Sequence, residues 1–239
     1  MDSKIIVITG ANTGIGLETV KALCQSNQKY HILLGSRNLE NAQSDESIDA
    51  AFGQIAAKYD RIDCLINNAG ASFDSYIDQG MTARQAWNKS WDVNVTGAHI
   101  MTTKFLPLLL KSQDPRLLFI TSGLSSLQGA SDPQNPKNVL APAVLSKALP
   151  FVGYRSAKAG LNMLMVEWTK ALRNDGVKVW AVAPGLLETS LGGNPELLKK
   201  LGAKDPKIGG EVIRRVVEGE RDADVGKVVR EYLSPIQPW

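Results

Sequence analysis

An acid–base pair stands four residues apart in the stretch Tyr154-Arg155-Ser156-Ala157-Lys158, which opens an apolar-striped pattern running to about Leu172. On a helix, residues four apart share one face, one turn above the other. An ammonium held beside a phenol favours the phenolate and lowers the tyrosine pKa, giving a proton donor and acceptor usable near neutrality. The same spacing also occurs with a solvated lysine beside a half-buried tyrosine. The rest of the chain must therefore decide whether a site surrounds the pair. Ser122 ends the buried run Leu117-Leu118-Phe119-Ile120, where a hydroxyl can reach a substrate oxygen. Asn94 lies mid-way in a helical pattern from Ala83 to about Leu110, a place for which asparagine has poor propensity.

The elements that would position these residues alternate between strand and helix. Ile5–Ile8 is a continuous apolar run that suits a parallel strand buried on both faces. It leads through Gly10, Asn12, Gly14, Ile15 and Gly16 into a helical pattern from Leu17 to about Gln25. A strand, a glycine-rich turn and a helix start form a phosphate cradle, because backbone can approach a pyrophosphate and free N–H groups face it. The spacing is Gly-x3-Gly-x-Gly, not the commoner Gly-x-Gly-x2-Gly.

The next strand, Tyr30–Leu34, ends in Gly35-Ser36-Arg37. In a dinucleotide fold this end meets the adenosine ribose. An acid there would bind the 2′-hydroxyl, whereas an arginine accommodates a 2′-phosphate. Arg37 and the lack of an acid favour NADP(H) over NAD(H); the competing reading is a solvated Arg37.

Asp45 to Tyr59 reads as an amphipathic helix with Ile48, Ala51, Phe52, Ile55 and Ala56 on one face and Ser44 as its cap. A strand, Ile62–Ile66, ends in Asn67-Asn68-Ala69-Gly70, small and amide residues that suit a close-lying cofactor or an ordinary turn. After the Tyr154 helix, Val177–Val182 is a strand ending in Ala183-Pro184-Gly185, with Thr189 shortly after. Glu211–Val217 reads as a helix and Val225–Val229 as a last strand.

Bulk composition narrows the classes. The chain has 239 residues, 44% hydrophobic and 21% charged, with a net charge of +3. No basic cluster points to nucleic acid or an anionic membrane, and no apolar run is long enough to span a bilayer. The chain enters a strand-like run at Lys4, so no leader peptide is expected. Cys24 and Cys64 read as buried core thiols of a reducing compartment, and the default location is the cytosol. His31 and His99 lack metal-ligand spacing, so no metal is expected.

Together these features closely resemble the short-chain dehydrogenase/reductase family, over nearly the whole chain and in the family's order. The residues that carry the resemblance are Thr-Gly-x3-Gly-Ile-Gly (9–16), Asn-Asn-Ala-Gly (67–70), Asn94, Ser122, Tyr-x3-Lys (154, 158), and Pro184-Gly185 with Thr189. The resemblance implies a single domain over 1–239 of Rossmann-like α/β type: a doubly wound parallel sheet in three α/β/α layers. It also implies a nicotinamide cofactor along the strands' carboxyl ends and a small carbonyl or alcohol substrate. By carry-over, Tyr154 is the general acid and base, and Lys158 lowers its pKa and holds the nicotinamide ribose. Ser122 positions the substrate oxygen, and Asn94 holds a water linking Lys158 to solvent. Leu187 and Thr189 fix the carboxamide end, while Ile15, Arg37, Asn68 and Ala69 line the adenosine side. A homo-oligomer through the 83–110 and 154–172 helices is the family expectation for partners.

Two departures stand out. Ser122 and Tyr154 are 32 positions apart, far more than is usual in the family, which makes the intervening segment either an inert insertion or a substrate-pocket wall of the carbonyl-reductase kind. The second is a shortage. Only Leu39–Ser44 separate Asn38 from the Asp45 helix, so a βα segment of roughly 20–30 residues is missing. It would have supplied the sheet's edge strand and a wall of the adenine pocket, leaving Tyr30–Leu34 as the new edge. Either the protein tolerates the loss or the chain is a shortened gene product; the intact flanks favour the latter. The alternative to an NADP(H)-dependent oxidoreductase is therefore a catalytically weak or inactive nucleotide-binding or regulatory protein of the same fold.

Overall fold

A computed structural model describes residues 3–35, 44–135, 138–139, 151–191, 195–231 and 234–239. The strands are β1 (Lys4–Thr9), β2 (Tyr30–Gly35), β3 (Cys64–Asn67), β4 (Arg116–Ile120), β5 (Lys178–Ala183) and β6 (Val228–Arg230). They pair in parallel in the order β2-β1-β3-β4-β5-β6. Strands β1, β3, β4 and β5 are near-continuous apolar runs because both of their faces are covered.

Side-chain alternation splits β1 between two cores. Ile5 and Val7 face one core, which holds residues of α4 (Gly97–Leu109) and α6 (Val152–Ala171), with Ile48, Phe52 and Ile55 of α2 (Asp45–Ala56) packed against it. Ile6 and Ile8 face the other, with α1 (Gly14–Cys24) and α8 (Lys207–Val217). This is the doubly wound, Rossmann-like arrangement expected.

Among the described residues β2 is an outer strand, paired only with β1. Its Leu34 is 55% exposed. The expected shift of the edge to Tyr30–Leu34 is thus observed. Helix α2 has the predicted cap, the Ser44 hydroxyl accepting from the Ser47 N–H at 3.1 Å, yet none of its residues is fully buried. Ala51 and Ala56, expected on the buried face, are exposed.

Other expectations need correction. The helix expected from Ala83 to about Leu110 runs unbroken to Leu109, but α3 (Ala83–Trp91) passes into α4 through a π turn over Asp92–Thr96 that the sequence did not show. The wider turn is where Asn94 sits, its amide donating at 2.7 Å to both the Ser90 and Ala71 carbonyls. Cys24 is exposed at the end of α1, whereas Cys64 is buried. The last strand is shifted to Val228–Arg230, with Val225 following a single 3-10 turn. Between Ser122 and Tyr154 the described residues include a short helix, α5 (Leu127–Ser131); residues 136–137 and 140–150 lie outside the described set. A six-residue helix, α7 (Pro195–Lys200), precedes α8. No helix of the described residues is long and apolar enough to cross a membrane, and no described cluster of residues could hold a metal ion.

Candidate active site

The glycine turn is sewn to the end of β3. The Thr9 hydroxyl accepts from the Asn68 and Ala69 backbone N–H groups, each at 3.0 Å. The Asn68 amide donates back to the Thr9 carbonyl at 2.8 Å and the Gly10 carbonyl at 3.0 Å. Asn68 lines the cavity and also pins the cradle with its side chain. Gly16 sits against this seam so closely that a Cβ would stand 2.4 Å from the Gly10 carbonyl oxygen. Helix α1 starts without a side-chain cap at Thr13 and without an acid in its first turn. Its leading N–H groups and positive dipole end are left for an anion.

That cradle opens into a cavity of about 390 Å³. Asn12, Gly14 and Ile15 line one wall, and Tyr154 and Lys158 line another. Thr189 closes the far side, its methyl 3.7 Å from where a Gly14 Cβ would lie. Leu187 is buried beyond it and bridges to Lys204, and Gly185 takes a positive φ of 100° at the turn after Pro184.

Tyr154 and Lys158 are both buried. The Lys158 ammonium donates to the Ile120 carbonyl at 2.8 Å and lies 5.7 Å from the centre of the Tyr154 ring. A Cβ on Gly70 would come within 2.9 Å of Asn94 Oδ1 and 3.1 Å of Lys158 Nζ, so both converge on that glycine. The Ser122 hydroxyl accepts from the Leu124 N–H at 3.2 Å and lies near enough to the Tyr154 phenol to favour its ionised form. Burial pushes the Tyr154 phenol up to about 12, against a smaller downward pull from Ser122. The direction is opposite to the sequence expectation. Desolvation disfavours the phenolate and outweighs the downward pull of Ser122.

One contributor gave no signal in the sequence. Helix α6 begins after Phe151, which has φ 57° and supplies no side-chain cap. Asp74, from the loop beyond β3, supplies the cap: its carboxylate accepts from the Gly153 N–H at 2.8 Å and the Tyr154 N–H at 3.0 Å. A lone acid 80 residues upstream forms no readable pattern. Substituting Asp74→Ala should cost about 1–2 kcal/mol in urea unfolding, the range for a lost helix cap. Phe73 and Tyr76, flanking Asp74, line the same cavity and were also invisible as site residues.

The other side of the cradle differs in character. A second cavity of about 390 Å³ meets the cradle at Gly10 and runs under α2, between Gly35, Ala69, Leu33 and Ile48. Its lining is largely apolar and its outer side is the β2 edge. Arg37 lies outside the described residues.

A parallel doubly wound sheet, a phosphate cradle and a tyrosine–lysine–serine cluster at the strand ends define a Rossmann-like, nucleotide-using type of protein. A family model described as short chain dehydrogenase matches residues 4–133. The short-chain dehydrogenase/reductase tropE of Talaromyces stipitatus is 44% identical, covering 100% of this chain and 98% of its own. The short-chain dehydrogenase/reductase eupG of a Phoma species is 42% identical, covering 98% of this chain and 97% of its own. The chain belongs to the short-chain dehydrogenase/reductase family. The fold also matches the NADPH-bound carbonyl reductase from chicken fatty liver and the carbonyl reductase Sniffer of D. melanogaster, each with a TM-score of 0.78, 20% identity and full coverage of both chains. The alignment to tropE runs over 272 positions although this chain has 239 residues, consistent with a segment present in the relative and missing here. The family implies a nicotinamide cofactor, and the residues present fit one: a cradle too close for any side chain at Gly16 and an uncapped, acid-free helix start.

Proposed function

We propose that the chain is an NADP(H)-dependent oxidoreductase, favouring NADP(H) over NAD(H), that interconverts a small-molecule carbonyl and its alcohol. The observation that carries this reading is the buried Tyr154 phenol, which lines the cradle's cavity together with Lys158 and whose proton burial holds in place. A neutral phenol is a proton donor toward an alkoxide, a much stronger base, so the site suits reduction. Ser122 holds the carbonyl oxygen and shares its developing charge. Tyr154 gives that oxygen its proton and takes one back in the oxidative direction. Lys158 holds the ribose hydroxyls and favours the phenolate when a base is needed. Asn94 holds the water that refills the proton path. The nicotinamide, when bound, supplies or accepts the hydride. On this reading residues 1–239 act as a single cytosolic domain.

Arg37 accounts for the nucleotide preference, its guanidinium matching a 2′-phosphate. Fluorescence titration should show NADPH binding more tightly than NADH, with Arg37→Ala weakening NADPH by about tenfold or more and leaving NADH unchanged. Equal affinities in both proteins would remove the preference, and no reduction across a panel of aldehydes and ketones would remove the activity. A second reading, a nucleotide-binding protein with weak or no turnover, draws on the open adenosine end and the absence of any fully buried residue in α2. NADPH binding without turnover would favour it.

A further inference from the structure

We propose that Gln237 is a positioning residue for Ser122, holding its loop against the Tyr154 helix through Ser125. The inference rests on the function proposed above. Residues 234–237 run back along β6: Ile236 bridges to Val229 in antiparallel sense, and the Gln237 N–H donates to the Val228 carbonyl at 2.8 Å. This places the Gln237 side chain, 2% exposed, beneath the loop that follows β4.

The hydrogen bonds there have a defined direction. Gln237 Nε2 donates to Ser125 Oγ at 2.9 Å and to the Ser122 carbonyl at 3.3 Å. Asn162, one turn beyond Lys158 on α6, donates from Nδ2 to the same Ser125 Oγ at 2.8 Å. Ser125 in turn donates to the Ser122 carbonyl at 2.6 Å. A hydroxyl has one proton and two lone pairs, and Ser125 uses all three. Asn162 cannot be turned over without penalty, because its Oδ1 already accepts from Thr121 at 2.7 Å. The Ser122 backbone is thus registered to α6 through one saturated hydroxyl, and the Gln237 amide completes the set.

A packing role alone does not account for glutamine at this position. Its Oε1 is buried without a partner among the described residues. An aliphatic side chain of similar length would fill the same space without desolvating a carbonyl. What the amide adds is its N–H groups, aimed at Ser125 and Ser122.

The test is Gln237→Met, which keeps the length and removes the donors, alongside Ser125→Ala and the double variant. In each, kcat for carbonyl reduction should fall by about tenfold while the NADPH Kd and melting temperature change little. The double variant should be no worse than the worse single one, since all act through the same bond set. Amide exchange of Leu124, whose N–H is held by the Ser122 hydroxyl, should quicken in Gln237→Met while exchange in β1 and β3 is unchanged. This readout needs no turnover. Unchanged Leu124 exchange, or an unchanged kcat, would overturn the proposal. A parallel loss of kcat, NADPH affinity and melting temperature would also overturn it, by reducing Gln237 to a folding residue. Wild-type protein that shows no turnover, or that matches Tyr154→Phe, would count against the proposed function instead, with the Leu124 exchange still deciding the role of Gln237.

Discussion

Tyr154→Phe should fold normally, bind NADPH as tightly as the wild type, and reduce carbonyls about 10³-fold more slowly, within the span that a lost general acid removes. The substitution leaves the buried ring in place and deletes only the phenol hydroxyl. Stability should therefore change by no more than about 1 kcal/mol at neutral pH. The pH dependence gives a second check. The folded phenol keeps its proton up to about 12, so the proton-donor form persists through the neutral and mildly alkaline range and is lost only near that value. An unfolded tyrosine releases its proton from about 10. Across that window the unfolded state carries fewer protons than the folded one, so wild-type stability falls as pH rises. Tyr154→Phe should show a shallower slope, the remainder coming from Tyr30 and Cys64, which burial also pushes up to about 12. Urea unfolding of both proteins at mildly and strongly alkaline pH measures the difference. Substantial turnover by Tyr154→Phe would remove Tyr154 as the proton donor.

Gly16→Ala should be the most damaging single-methyl change at the cradle. The added carbon would lie 2.4 Å from the Gly10 carbonyl oxygen and 2.5 Å from Asn68 Nδ2. The first neighbour is backbone, and the second is fixed by its bonds to the Thr9 and Gly10 carbonyls, so neither can swing aside. Overpacking of this kind costs about 1–3 kcal/mol. The strain also spreads the seam between the β1 and β3 ends that shapes the phosphate site. NADPH affinity should fall by at least about tenfold, the equivalent of 1.4 kcal/mol. Gly53→Ala is the control: nothing lies within 4 Å of its added carbon, and in the middle of α2 alanine should stabilise by about 0.5–1 kcal/mol. Thermal melts and fluorescence titration read both.

The parts of this molecule that were legible in the sequence are those with short-range patterns. Ile5–Ile8 and Leu117–Ile120 read as buried strands because nothing but a two-sided core accommodates unbroken apolar runs. The cradle read from glycine spacing, and β2 as edge followed from counting the residues left between Asn38 and Asp45. Misreadings came where the deciding contact is long-range or solvation is involved. Apolar periodicity passes straight through Asp92–Thr96, so the π turn that Asn94 bonds into was hidden. The Tyr154–Lys158 spacing gave adjacency but not burial, and burial sets the direction of the phenol's shift. Asp74, Ser125, Asn162 and Gln237 are ordinary polar residues locally; only the fold brings Gln237 within bonding distance of a serine 112 positions away. Cys24 fell on the helical pattern, but the last turn of α1 leaves it exposed.

Helix α2 carries a consequence for binding energetics. It roofs the second cavity, which the proposed function gives to adenosine, through Ser47, Ile48 and Ala51, yet none of its residues is fully buried, whereas β1 beneath it is nearly all core. Elements with few buried apolar contacts open at much lower free energy than the body of a domain. Any fraction of molecules in which α2 were undocked would lower the apparent nucleotide affinity in proportion. A substitution that docks α2 more firmly should then tighten nucleotide binding without touching the nucleotide.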